Sequence, residues 1–92
     1  MEIEWLENSW EEYQTIKKND KKAAQKIMLL ISDIMCNGAS KGIGKPEALK
    51  YNYSGYYSRR IDQKNRLIYY VYNDGESDVL AIFSCTGHYH DK

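Results

Sequence analysis

Between Lys45 and Arg66 the chain gathers Lys45, Glu47, Lys50, Arg59, Arg60 and Arg66, and His88-Tyr89 follows near the C-terminus. A carboxylate, a histidine and several phosphate-sized cations are what RNA cleavage without a metal requires. A base must take the proton from a 2′-hydroxyl, a cation must hold the phosphorane charge, and an acid must protonate the departing 5′ oxygen. By residue type Glu47 suits the base, His88 the acid, and Arg66 with Arg60 or Lys50 the charge clamp. Tyr89 would stack on a base or hold the phosphate. The products would be a 2′,3′-cyclic phosphate and a 5′-hydroxyl. Each group also has an ordinary reading, since a glutamate in a Lys-rich loop or an arginine on a strand is commonly solvated surface charge.

Other constellations carry less. Cys85, His88 and His90 imitate metal spacing but lack a fourth ligand. Gly42-Ile43-Gly44-Lys45 is not a phosphate loop, because Pro46 intervenes and no helix is expected after it. Cys36 and Cys85 stand far apart and no signal-peptide pattern precedes them, so two reduced, packed thiols in a cytosolic protein are expected. No apolar run reaches membrane-spanning length.

Net charge is zero, which excludes a globally basic nucleic-acid binder. The charge is unevenly spread, however. Residues 41–66 carry seven cations against Glu47 and Asp62, while the segments on either side are acidic. A local basic patch of this kind is enough to grip phosphates.

These residues need elements to position them, and 92 residues are expected to form one domain, 1–92. Alternation over Met1 to Leu6 predicts a short strand. Ser9-Trp10-Glu11-Glu12 has capping-box spacing and predicts a helix to about Lys18. Asp20 can cap a second helix to about Asn37, with Ala23, Ala24, Ile27, Leu30, Ile31 and Ile34 on one face and Gly38 as its stop. Gly38 to Gly44 reads as a mobile loop. Tyr56–Ile61, Arg66–Asn73 and Val79–Cys85 then alternate as strands joined by polar turns. The whole predicts an α+β fold with two N-terminal helices on one face of a mostly antiparallel sheet. If Leu67, Tyr69, Tyr57 and Ile61 face the helices, alternation turns Arg60 and Arg66 onto the open face together.

Four stretches carry a family resemblance: Gly44-Lys45-Pro46-Glu47-Ala48-Leu49-Lys50, Ser54-Gly55-Tyr56-Tyr57-Ser58-Arg59-Arg60-Ile61, Asn65-Arg66-Leu67-Ile68-Tyr69, and Cys85 with His88-Tyr89. In that order they resemble the YoeB/Txe toxins of the RelE-like superfamily, whose fold is also likened to microbial ribonucleases. The resemblance implies the toxin of a type II toxin–antitoxin system, a cytoplasmic endoribonuclease that cuts messenger RNA in the ribosomal A site and stops translation. It implies Glu47 as base, Arg66 as the arginine of the transition state, His88 as acid and Tyr89 as the tyrosine beside it. Lys50 and Arg60 match positions that contact phosphate and ribosome, and Lys45 and Arg59 complete the expected RNA-binding set. The implied partners are a YefM/Axe-like antitoxin, the ribosome and mRNA, with a homodimer left open and no cofactor, metal or membrane. The alternatives are a non-catalytic binding module like the ParE toxins, or an inactivated toxin acting only through its antitoxin. Glu47, Arg66 and His88 together argue against the ParE class. The chain departs from the family pattern in carrying His90-Asp91-Lys92 beyond the His-Tyr pair.

Overall fold

The structure, a computed structural model, describes residues 1–87 of the 92. In chain order it forms β1 (Glu2–Trp5), α1 (Ser9–Asn19), α2 (Lys21–Asn37), β2 (Glu47–Ala48), a 3₁₀ turn at Tyr51–Tyr53, β3 (Tyr57–Arg60), β4 (Arg66–Asn73) and β5 (Asp78–Ser84). The sheet order is β1-β5-β4-β3-β2, with β1 parallel to β5 and every other pairing antiparallel. Both helices lie on one face, so the α+β expectation holds. No helix among the described residues is long and apolar enough to cross a membrane.

Helix α2 forms where the apolar period puts it. All six expected face residues are buried, and they meet Leu67, Tyr69, Leu80, Ile82 and Cys85 of the sheet side. Asp20 caps the helix by accepting the Ala23 N–H at 3.1 Å. Gly38 ends it, donating its N–H to Ile34 O at 2.8 Å.

Helix α1 begins at Ser9 as expected, but by different means. The N-cap is Asn8, without a side-chain bond, and the buried Ser9 hydroxyl has no partner among the described residues. Glu12 does not reach back to its own helix start. Its Oε1 instead accepts the Cys85 N–H at 2.7 Å and the Ser84 hydroxyl at 3.1 Å. The end of β5 offers an amide that the sheet leaves unpaired, and a buried amide is a stronger claimant than a helix terminus open to water.

Arg59, expected among the phosphate-binding cations, is a core residue with no exposed surface. The register Arg60↔Arg66 and Arg59↔Leu67 gives the reason, because the alternation that turns Arg60 outward must turn Arg59 inward. A buried guanidinium is tolerable only if its donors are satisfied. Here Nε donates to Tyr69 Oη at 2.7 Å, and Nη1 to Asp33 Oδ2 at 2.5 Å and Ile43 O at 3.1 Å. Nη2 donates to Gly38 O at 2.9 Å and Lys41 O at 2.7 Å.

These bonds also correct the reading of 38–44 as a mobile loop. Its carbonyls are drawn onto Arg59, Ile43 N–H donates to Asp33 Oδ2 at 3.0 Å, and Tyr69 Oη donates to Ala39 O at 2.6 Å. Gly42 has φ +127° and packs so closely on Asp33 that a Cβ there would overlap its carboxylate. The loop is held by polar bonds to the core, and composition does not reveal such bonds.

The two cysteines differ. Cys85 is buried, and burial, with the Glu12 carboxylate beside it, pushes its thiol up to about 12. Cys36, expected to be packed, is exposed because it falls on the solvent side of α2. A thiol reagent at neutral pH should therefore label native protein at Cys36 alone, with Cys85 reacting only after unfolding. Rapid labelling of a Cys36→Ser variant would contradict this.

Arg59→Ala should lower the unfolding free energy by about 3 kcal/mol, since it strands Asp33 and several carbonyls. A urea titration showing a loss under about 1 kcal/mol would contradict the hub. Asp33 gives a second check. The Arg59 hydrogen bond, opposed by burial and assisted by Ile43 and Asn37, holds its carboxyl below the ordinary 3.8. A depressed carboxyl stabilises the fold fully above its unfolded value, and that share is lost as pH falls through its folded value. Stability below pH 3.8 should thus decline less steeply in Asp33→Asn than in the parent, and equal slopes would count against the pairing.

Candidate active site

The cross-strand register builds the site on the sheet face away from the helices. Glu47 pairs with Ser58 and Ser58 with Ile68, which places the three in one row. Arg60 pairs with Arg66 in the next row, so the expected sharing of a face by these two arginines is observed. Arg66 reaches diagonally between rows, its Nη1 donating to Glu47 Oε1 at 3.2 Å. The side chains are 35% and 61% exposed, so the pair is open to solvent and worth roughly 0–1 kcal/mol. An arriving phosphate can therefore replace the carboxylate on Arg66 at little cost.

Glu47 stands where it does because of the loop before it. The Arg60 N–H donates to Gly44 O at 2.7 Å, and Leu49 N–H donates to Tyr56 O at 2.9 Å, bracketing β2 against β3. Sequence alternation did not register β2, because two residues are too few to show a period. Lys45 takes φ 52°, a left-handed conformation rare for lysine and rarer before a proline, at the point where the chain turns into β2. Lys50 sits just past β2, at the start of the 3₁₀ turn. Lys45, Lys50 and Arg60 are all exposed around Glu47 and Arg66, whereas Arg59 lies behind the sheet.

An aromatic wall closes the opposite flank. Tyr56 contacts Tyr70 at 4.9 Å, Phe83 at 5.6 Å and Tyr53 at 5.4 Å between ring centroids. Burial, with the Tyr70, Tyr53 and Glu7 charges nearby, pushes the Tyr56 phenol up, so it stays a hydrogen-bond donor. Half-buried rings bordering a cationic row suit an unpaired base beside its phosphate.

The expected acid and its neighbour, His88 and Tyr89, lie outside the described residues, as does His90. The chain is described up to Gly87, whose φ is +72° and where a Cβ would sit 3.0 Å from Arg66 N and 3.1 Å from Arg66 Cβ. Glycine takes this left-handed backbone without strain and without crowding, and it brings the backbone against Arg66 one residue before His88. Glu12 fixes the same exit from β5 by holding Ser84 and Cys85.

Three residues escaped the sequence reading. Glu12 was assigned to its own helix cap. Asp33 lies one turn from the C-terminus of α2, where the helix dipole disfavours an acid, and that position is the signal of a specific cation partner. Ser58, buried opposite Glu47 with a hydroxyl that has no partner among the described residues, gave no signal at all.

Comparison with known proteins agrees with this architecture. The family model described as the YoeB-like toxin of bacterial type II toxin–antitoxin systems matches residues 5–89. Toxin YoeB of Synechocystis sp. is 46% identical over 89 residues, covering 97% of this chain and 98% of that protein. The solved YoeB/ParE toxin from Agrobacterium tumefaciens superposes with a TM-score of 0.89 at 35% identity, covering 97% of this chain and 100% of that one. A chain of the heterotetrameric YoeB–YefM toxin–antitoxin complex from Staphylococcus aureus gives 0.84 at 45% identity, covering 97% and 98%. Sequence and backbone thus agree over nearly the whole length, and this chain belongs to the YoeB-like toxins of bacterial type II toxin–antitoxin systems.

Proposed function

We propose that this toxin is a ribosome-dependent endoribonuclease that cleaves mRNA in the A site. The observation that carries the reading is the Arg66–Glu47 contact at 3.2 Å, which joins a carboxylate and a phosphate-binding cation on an exposed basic face. With RNA in place, the scissile phosphate takes the Arg66 guanidinium and frees the Glu47 carboxylate. Glu47 removes the 2′-hydroxyl proton, the 2′ oxygen attacks phosphorus, and Arg66 with Arg60 holds the charge that grows on the phosphorane. The bond from phosphorus to the 5′ oxygen breaks as His88 supplies a proton to that oxygen. Tyr89, beside His88 in sequence, steadies the base or phosphate. Lys45 and Lys50 hold neighbouring phosphates.

The openness of the site supports ribosome dependence. Nothing among the described residues encloses a substrate, so an outside surface must align the 2′ oxygen with the leaving group. A YefM-like antitoxin is the fitting partner, since the Staphylococcus aureus relative is found complexed with YefM. Such a toxin works in the cytoplasm, where the ribosomes are.

The test is in vitro translation of a defined message with purified protein and ribosomes, mapping the new 5′ ends. Codon-spaced cuts are expected, falling by about 10²–10⁴-fold in Glu47→Ala and in His88→Ala. Message left intact by the parent protein, or cut equally fast as naked RNA, would overturn the proposal.

A further inference from the structure

A second cationic concavity lies around the corner from the Glu47–Arg66 row. It is a groove of about 340 Å³ lined by Lys26 of α2, Gly44 and Lys45 of the loop, Arg60, and Ile61, Asp62 and Gln63 of the β3–β4 turn. Three of its lining residues are cations from three separate elements. None has a carboxylate within ion-pair distance among the described residues. The one acid in the lining is already occupied. Asp62 Oδ1 accepts the Lys64 and Asn65 N–H groups at 2.8 and 2.7 Å, and Oδ2 accepts from Asn65 Nδ2 at 3.3 Å. Uncompensated like charges converging on one groove repel one another, and a bound anion removes that repulsion.

We infer that this groove is a second phosphate subsite, taking the RNA backbone beyond the scissile phosphate. The inference rests on the ribonuclease reading above. Arg60 makes the connection, since it stands opposite Arg66 on the sheet face and also lines the groove. A strand leaving Arg66 past Arg60 therefore meets Lys45 and Lys26 next. The left-handed Lys45 backbone, φ 52°, turns the chain at this corner. Phosphate suits the groove better than an acidic peptide does. A peptide needs apolar anchors, and the only large apolar residue in the lining, Ile61, is itself 6% exposed and spent on the core. Lys26 is the diagnostic residue, because it lies on a helix and outside the catalytic face.

The test is binding, read by fluorescence anisotropy across a salt series, with a 12-nucleotide single strand carrying 2′-deoxyribose throughout so that no cleavage occurs. Lys26→Gln should make the slope of log K against log salt shallower by about 0.7, the share of one cation on a single strand. Lys26→Arg should restore it, and Lys18→Gln, a cation on the other helix, should leave it unchanged. An unchanged slope with Lys26→Gln on the free strand, but weaker sedimentation with message-free ribosomes, would support the subsite with ribosomal RNA as its phosphate source. No change in either arm would overturn the inference, as would a Lys26 effect confined to an acidic Glu-rich peptide. The strand cannot be cut, so the two readings fail separately. A Lys26-dependent slope in a protein that never cleaves message sinks the nuclease reading alone, and cleavage with no Lys26 effect on either the strand or the ribosome sinks the groove alone.

Discussion

The structure depends on one buried guanidinium. Arg59 has no exposed surface, and its nitrogens are bonded to Tyr69, Asp33 and the carbonyls of Gly38, Lys41 and Ile43. Removing such a group from water is unfavourable by several kcal/mol unless its donors are all met. The arginine therefore needs a chain that places carbonyls around it, and the loop after α2 is that chain. In return the loop gains a partner for carbonyls that helix and sheet leave open. The far end of the same loop is Gly44, bonded to Arg60 N–H, and Glu47 enters β2 three residues later. A core interaction behind the sheet thus sets where the carboxylate stands in front of it.

Charge on the open face is sorted along the strand order. Glu2 and Glu4 of β1 pair with Val79 and Ala81 of β5, and Tyr72 Oη donates to Glu4 Oε1 at 2.9 Å. The Tyr56, Tyr70 and Phe83 rings occupy the middle, and Arg60 and Arg66 lie toward the β2 edge. Zero net charge is therefore compatible with the proposed phosphate site, because Glu2 and Glu4 stand on the far strand while Arg60 and Arg66 stand near the other edge. Local field, more than total charge, governs encounter with a polyanion.

What could be read from the sequence was what is periodic. The α2 face, the strands β3, β4 and β5 and the shared face of Arg60 and Arg66 follow from spacing, since burial enforces a repeat of 3.6 or 2. Contacts between distant polar groups have no period. Glu12 was legible as a helix cap and serves the end of β5, 73 residues away. Arg59 looked like its neighbour Arg60, and only the inward half of the alternation, applied to a charged residue, would have separated them. The loop from Gly38 to Gly44 looked mobile by composition because its restraint is a side chain 16 to 21 residues further on. The roles proposed for Glu47 and Arg66 came from reaction chemistry and family pattern, and the structure adds that they touch.

The central claim is that the Arg59 hub, through the loop, holds Glu47 opposite Arg66. Native-state amide exchange in the parent and in Arg59→Lys tests it most directly. A lysine cannot fork to several carbonyls, so protection should fall together at Ile43, Arg60 and Leu49, whose amides tie the loop and β2, while the β4–β5 amides stay protected. Loss confined to Ile43, with Arg60 and Leu49 as protected as in the parent, would contradict the claim, since Glu47 would then be held without the hub.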